Sequence, residues 1–484
     1  MARERAVMGE RKTAIIVGGG ISGLAAAYRL VTDSAKQGVQ VNVTLIDAAE
    51  RAGGVIGTVH CDNLIMEEGP DCFISTKPEA VELSRELGIE NEIIGTNETH
   101  RRSFILRGNR LIEVPKGFYL LAPDSFISLA KTPIFSAAGK ARMACDVLIR
   151  RKNDDEDESL GSFVLRRLGR EALDRLAQPM VAGIYTADPL KLSLKATFPQ
   201  FLEWEREYGS IIRALWKRKK EQAASSSASG ARYSLFLSFK NGLQTLTNAV
   251  KASLPEGCIQ TGVTVQQIIR EEEGWRLQTD KSSLSADVLC LALPAHIAGD
   301  LLSDVSPDLS TELSNIEYHG AITANMVFHR DDVDHPLNGM GFVVPSTERK
   351  NIIACSFSSV KFEGRAPGEI ALLRAFIGGP DQQSLIGRDD AVVAGLVEKD
   401  LGDILGLQDK PIHTHISHWK NVMPQYHVGH LDLVERIESH LAHLPGLALA
   451  GNAFRGVGIP DCIRSANGAA ESLLGFLQGS AAKS

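Results

Sequence analysis

Apolar and polar positions divide the chain into segments of distinct period. Ala14–Val17 is a continuous apolar run, followed by Gly18, Gly19 and Gly20, the alanine-rich stretch Ile21–Leu30, and a second strand-like segment, Val41–Ile46. Unbroken runs suit strands covered on both faces, and glycines ahead of a helix make a tight turn, so a βαβ unit is predicted. Residues 74–88 read as helix, and Phe104–Val114 alternates as a hairpin with Gly108-Asn109 at its turn. Pro115, Pro123 and Pro133 then space out short apolar segments, and SLGSFVLRRLGREALDRLAQPMV carries a helical period, so a helical insert is expected. Glu221–Ala231 is built of small residues that bury little, and is expected to be a mobile surface loop.

Beyond it, NGLQTLTNAVKASL is helical, GCIQTGVTVQQIIREEEGWRLQT reads as hairpin strands, and ADVLCLALP is a buried run that returns to the parallel sheet. Residues 300–420 alternate as strands (AITANMVFH, GFVVP, IIACSFS, IALLRAFIGG) around one helix near Asp389–Leu405, which predicts an antiparallel sheet carrying a helix. The chain then repeats its opening pattern of strand, glycine turn and helix in LALAGNAFRGVGIPDCIRSANGAAESLLGFL. The fold class expected is α/β.

Composition narrows the function. With 484 residues, 44% of them hydrophobic, two or three domains with a large core are expected. A net charge of −7 argues against nucleic acid or an anionic bilayer as an electrostatic partner, and Lys217–Lys220 reads as a solvated helix end. The 7 cysteines include no C-x-x-C pair, so neither a disulfide framework nor a zinc site is expected and a reducing cytoplasm fits. Residues 1–12 lack an apolar stretch and nowhere do about 18 uncharged apolar residues run together, so neither a signal peptide nor a spanning helix is expected, although peripheral contact with a membrane stays open. The acidic run Asp154–Ser159 is read as a helix start. His413, His415 and His418 are read as strand residues with only the first two on one face, so no metal is expected. His427 and His430 are read as anchors of a nearby loop.

Gly18, Gly20 and Gly23 form G-x-G-x-x-G between strand and helix, where the backbone can approach a pyrophosphate held at the helix N-terminus. Asp47 follows the second strand and can accept from ribose hydroxyls, which disfavours a 2′-phosphate. Arg51, Gly53 and Gly54 continue as R-x-G-G, letting the chain pass under a long dinucleotide, and this favours FAD over NAD. A flavin must also be gripped at its ring end. Val457-Gly458-Ile459, ahead of the last helix, can supply backbone N–H groups and a positive helix end there.

Together VGGGISGLAAAY, ERAGG, EEGPDCF, VAGIYTADPLKLS, ALP, MPQYHVGH and GNAFRGVGIPDCI resemble the oxygen-dependent porphyrinogen oxidases of haem synthesis, a branch of the flavin amine-oxidase superfamily. The resemblance covers about Thr13–Leu477. It implies a discontinuous Rossmann-like FAD-binding domain (residues 12–92, 232–300 and 419–484), an antiparallel-sheet substrate domain (93–114, 196–231 and 301–418) and a helical insert (115–195), membrane-associated in some members. It implies six-electron oxidation of a porphyrinogen to a porphyrin, with O2 as acceptor. By motif, Gly18, Gly19, Gly20, Ile21, Ser22, Gly23, Asp47, Ala48, Arg51, Gly53, Gly54, Val55, Gly69, Pro70, Val263, Trp419, Val457, Gly458 and Ile459 would contact FAD. Ser103, Thr186, Ala187, Val343 and Phe376 would meet substrate. Asp47 stands where the family more often has glutamate. Ser103, preceded by Arg101 and Arg102, resembles the Gram-positive bacterial branch and points to coproporphyrinogen III, with protoporphyrinogen IX next. No catalytic side chain is nominated, because the pyrroles activate their own C–H bonds. A related flavin desaturase or amine oxidase, and a non-catalytic flavin- and porphyrin-binding homologue, remain as alternatives; the oligomeric state is left open.

Overall fold

The computed structural model describes residues 12–114, 118–119, 122–123, 126–225 and 235–481. At its centre lies a parallel sheet in the order Ile259–Gln260, Val41–Ile46, Lys12–Val17, Val288–Leu291, Leu447–Leu449. ADVLCLALP therefore does return to that sheet, in register with the first strand from Ala14 opposite Val288 to Val17 opposite Leu291. Alternation along the first strand explains why the run is apolar throughout. Ala14 and Ile16 pack with the helices Ile21–Lys36 and Ile459–Ala481, whereas Ile15 and Val17 pack with Trp275, Leu277, Leu309 and Leu313 on the other face. Alanines at the helix contact (Ala25, Ala26, Ala466, Ala469, Ala470) are all buried, and small side chains let the first and last helices lie close.

The second sheet has seven strands, in the order His413–Pro424, Tyr318–His329, Ile370–Gly378, Ala354–Phe357, Gly341–Val343, Phe104–Arg107, Arg110–Glu113. All pairings are antiparallel except Gly341–Val343 with Phe104–Arg107. The hairpin turns at Gly108 and Asn109, both with positive φ (53° and 58°), as a two-residue turn of this hand requires. Ala371, Leu373, Ala375 and Ile377 bury one sheet face under the helix Asp390–Leu405. Their alternates, Leu372, Arg374, Phe376 and Gly378, look the other way.

The third part is a helical layer whose core joins Phe163, Leu176, Phe201, Trp204 and Ile211. Its helices include Leu160–Arg167, capped by the Ser159 side chain, and Gln178–Tyr185, entered through a π-helical turn at Leu173–Ala177. Residues 196–225, which the resemblance assigns to the substrate segments, supply the helices Pro199–Tyr208 and Ile211–Ser225. Phe201, Trp204, Ile211 and Leu215 from these helices pack into the helical layer, because their apolar positions recur at helical spacing against it. Lys217–Lys220 accordingly lies inside a helix rather than at its end, with Lys217 and Arg218 over the rings of Tyr208 and Trp204. That helix also takes up Glu221–Ser225 of the expected loop; residues 226–231 lie outside the described residues.

Candidate active site

The G-x-G-x-x-G turn follows directly from the first strand. Gly18 has φ 107°, and a Cβ there would overlap the Ala292 carbonyl oxygen; one at Gly23 would overlap the Gly18 carbonyl. Gly20 differs. It opens the helix with no side-chain cap, and nothing lies within 4 Å of where its Cβ would be. An uncapped helix N-terminus facing open space is the cradle an anionic pyrophosphate needs, so the residues present fit a dinucleotide. Asp47 stands beside it, its carboxylate accepting from Gly19 N and Ala49 N, and its carbonyl accepting from Val263 N at 2.9 Å. The R-x-G-G loop folds onto the same turn. Gly53 N donates to Gly19 O at 2.8 Å, and the Arg51 guanidinium reaches Ile56 O and Gly54 O.

The far end of the chain closes on this unit. Ile459, Cys462 and Ile463 are buried in one cluster with Ile21 and Leu24. Burial, and secondarily Asp461, pushes the Cys462 thiol up to about 11. Asp461, at the start of the last helix, pairs with Lys77 at 2.6 Å and with Arg464. The turn before the helix is held by Tyr426, which the sequence left unassigned, and by His430. Tyr426 donates its hydroxyl to Asn452 O at 2.5 Å and accepts from Gly456 N at 2.9 Å, while its ring stacks on His430 at 3.9 Å. His430 bonds through Nε2 to Phe454 O at 2.8 Å, so it does anchor the loop. Val457 packs against the helical layer.

Between these ends runs the segment Glu67–Asp71, and one face of the antiparallel sheet grips it. Trp419 Nε1 donates to Glu68 O at 2.8 Å, as does Thr323 Oγ1 at 2.5 Å, and Asn325 Nδ2 donates to Glu67 O at 3.0 Å. Arg374 donates to Gly69 O. A Cβ at Gly69 would overlap the Val55 carbonyl, so the chain there touches the R-x-G-G loop, with Pro70 next in line. Lys361 and Arg374 flank Asp71 at 2.7 and 3.7 Å. Burial opposes charge on Asp71, but Lys361 and then Arg374 outweigh it and hold the carboxyl well below its usual range. Burial and the neighbouring Asp71 push the Cys72 thiol up to about 12.

Phe376 stands half-buried on the same face, with the Arg374 guanidinium 4.6 Å from its ring centroid. Register places Val343 in its row, since Val343 pairs with Ala354 and Ala354 with Phe376. Thr186 ends the helix Gln178–Tyr185 in a left-handed conformation, φ 50°, and its carbonyl accepts from His319 Nδ1 at 2.9 Å. Its methyl lies against Gly378, and Ala187 is buried beside it in the helical core. Thr186, Ala187, Val343 and Phe376 thus share the seam between sheet and helical layer. Past Val343 along that seam lies a cavity of about 310 Å³, lined by Ile105, Ile112, Arg107, Arg175, Glu171 and Glu348 among others. Ser103 is exposed ahead of the hairpin, and Arg101 and Arg102 face Glu98 (2.8 Å) and Glu113 (3.9 Å); no contact among the described residues brings these three to Phe376. His415 faces Glu68 and His418 faces Asp390, from opposite sides of their strand. Among the described residues no cluster of metal-ligating side chains is formed.

Thr323, Asn325, Lys361, Arg374 and Tyr426 escaped the sequence reading. A signal existed for Arg374, a charged residue two positions before Phe376 in an otherwise apolar strand.

Residues 21–474 match the family described as "Flavin containing amine oxidoreductase". A coproporphyrinogen III oxidase of Bacillus subtilis is 32% identical, over 96% of this chain and 99% of its own length. One from Staphylococcus aureus is 30% identical, over 96% of this chain and 100% of its own. A crystal structure from Exiguobacterium sp. 255-15, provisionally described as a protoporphyrinogen oxidase, superposes with a TM-score of 0.85 at 31% identity, covering 97% of this chain and 99% of that one. With its glycine cradle and both ends of the chain closing on one site, this protein belongs to the flavin-containing amine oxidoreductases and is an FAD-dependent oxidoreductase.

Proposed function

We propose that the protein oxidises a porphyrinogen to the porphyrin in haem synthesis, removing six electrons and six protons in three two-electron steps while three O2 become three H2O2. The observation that carries this reading is the sheet face that grips Glu67–Gly69 beside the dinucleotide cradle and presents Phe376 beside that grip. In this reading Gly18–Gly23, Asp47, Ala48, Arg51, Gly53–Val55, Gly69, Pro70, Val263, Trp419 and Val457–Ile459 hold FAD. When bound, the flavin supplies a hydride acceptor that O2 can reoxidise.

The chain's own work is positional. Phe376 offers a flat face to a macrocycle, Thr186 and Ala187 close the opposite wall, and burial of the seam keeps water from the reacting carbon. No residue is assigned as base. The cofactor segments are 12–92, 232–300 and 419–484, and the helical unit takes in 196–225 as well as 115–195. The likeness to the coproporphyrinogen III oxidases of Bacillus subtilis and Staphylococcus aureus supports coproporphyrinogen III as the substrate. An exposed apolar set on the helical layer, Ile127, Leu148, Ile184 and Leu190, supports peripheral contact with lipid, which vesicle cosedimentation would test. Among the described residues no helix is long and apolar enough to cross a membrane. The deciding experiment compares the two porphyrinogens side by side in air, reading porphyrin fluorescence against autoxidation. The expected result is a yellow protein that is faster on coproporphyrinogen III; a protein that stays colourless after FAD is supplied, or that accelerates neither substrate, rejects the proposal.

A further inference from the structure

The cluster beneath Gly69 holds two cations and one carboxylate. Lys361, Arg374 and Asp71 have side-chain exposures of only 12%, 2% and 15%. The next buried pair, Glu67 with Arg365 at 3.7 Å, is balanced within itself. Two polar atoms in the same place have no hydrogen-bond partner among the described residues: Arg374 Nε and Asn325 Oδ1, on residues directly opposite each other in the sheet. Burying ions costs several kcal/mol of desolvation each, and apolar replacements of equal volume commonly serve stability as well or better. An unneutralised surplus of one positive charge is therefore a poor way to hold a sheet to a loop. It suits a site where negative charge must arrive, since fixed charge in a low-dielectric interior acts strongly on its neighbours.

We propose that the Asp71–Lys361–Arg374 cluster tunes the bound flavin electrostatically, its surplus positive charge raising the reduction potential so that hydride transfer from the substrate is favoured. This rests on the reading that Gly69 and Pro70 border FAD. Arg374 is also a positioning residue, for it holds the Gly69 carbonyl with one end of its guanidinium and lies under the Phe376 ring with its face. Cofactor edge and substrate plate are thereby fixed to one side chain.

The test is the flavin midpoint potential of the purified holoenzyme, measured at about pH 6 so that Lys361 keeps its proton when its partner is neutralised. Asp71→Asn adds one net positive charge and is expected to shift the potential upward; Lys361→Met removes one and is expected to shift it downward; Lys361→Arg should leave it near the wild-type value. Shifts of the same sign in the first two variants, or none, overturn the proposal, because loosened packing has no reason to follow the sign of the charge. Should Lys361→Met fail to fold, the isosteric Asp71→Asn decides alone, and an unchanged or lowered potential rejects the idea. A wild-type protein that retains no flavin would instead refute the cofactor reading on which this depends.

Discussion

Gly458 has no positive φ, and a Cβ there would meet Asp461 Oδ2 at 3.2 Å and Pro460 at 3.7 Å. A methyl group nearly fits, whereas a branched side chain must displace the turn that opens the last helix. Gly458→Ala is therefore expected to keep its flavin, and Gly458→Leu to lose it on gel filtration while its circular dichroism stays that of the wild type; equal flavin retention in the two would refute the placement of this turn. Phe376 makes a different prediction, because its ring is half-buried and rests on Arg374. An aromatic contact beyond simple burial contributes about 0.5–1.5 kcal/mol, so Phe376→Leu should cost up to about tenfold in kcat/KM. Flavin absorbance should not change. A loss of flavin along with activity would show Phe376 supporting the cofactor rather than the substrate.

Among the helical elements, Arg167 decides how the layer coheres. It is fully buried, its Nε donates to Asp146 at 2.6 Å, and its other nitrogens reach Glu205 and the carbonyls of Asp146, Ile149 and Gly209. Removing one partner of such a pair leaves an uncompensated charge, at a cost of about 3–5 kcal/mol. Arg167→Met should lower the urea midpoint accordingly, read by tryptophan fluorescence from Trp204 in the same core. Flavin content before unfolding should be unaltered, because the cofactor sheet has its own apolar clusters. The loop Asn452–Gly456 depends likewise on a pair of side chains, Tyr426 and His430. Burial depresses the imidazole of His430 to about 4, with its bond to Phe454 O opposing the shift. Between about pH 6.5 and 4 the unfolded chain binds a proton there that the folded chain does not, so stability must fall on acidification through that window, by roughly 3 kcal/mol in full. His430→Gln should flatten that part of the pH–stability curve; an unchanged slope would mean that the ring titrates freely in the folded protein.

At the scale of the molecule, what could be read in advance was what local spacing encodes. Ala14–Val17 followed by Gly18–Gly23 declares a strand and a nucleotide turn within a dozen residues, and the apolar run Ile370–Gly378, broken by Arg374, declares a strand. The closing of the last turn on the first helix could be anticipated from chemistry, because a flavin has two ends to hold. Alternation tells which side Arg374 faces but not that Glu67–Asp71 covers that side, nor that Asn325 lies opposite; such pairings depend on register between strands dozens of residues apart. Tyr426 was silent for the same reason, its partners Asn452 and Gly456 being reached only after the helix His430–Leu441 and a strand. That helices 199–208 and 211–225 pack into the helical layer could not be read in advance, because they carry no mark of which core they join.

The central sheet takes its outer strand from Leu447–Leu449, and the first helix takes its cover from Ile459–Ala481. During translation the side of the first helix that meets Ile459–Ala481 must therefore wait uncovered while some four hundred further residues are made, which at about 5–20 residues per second is a delay of tens of seconds. A nascent chain of this kind offers chaperones a long-lived apolar target, and a ribosome stalled before residue 447 would hold a polypeptide unable to retain its coenzyme.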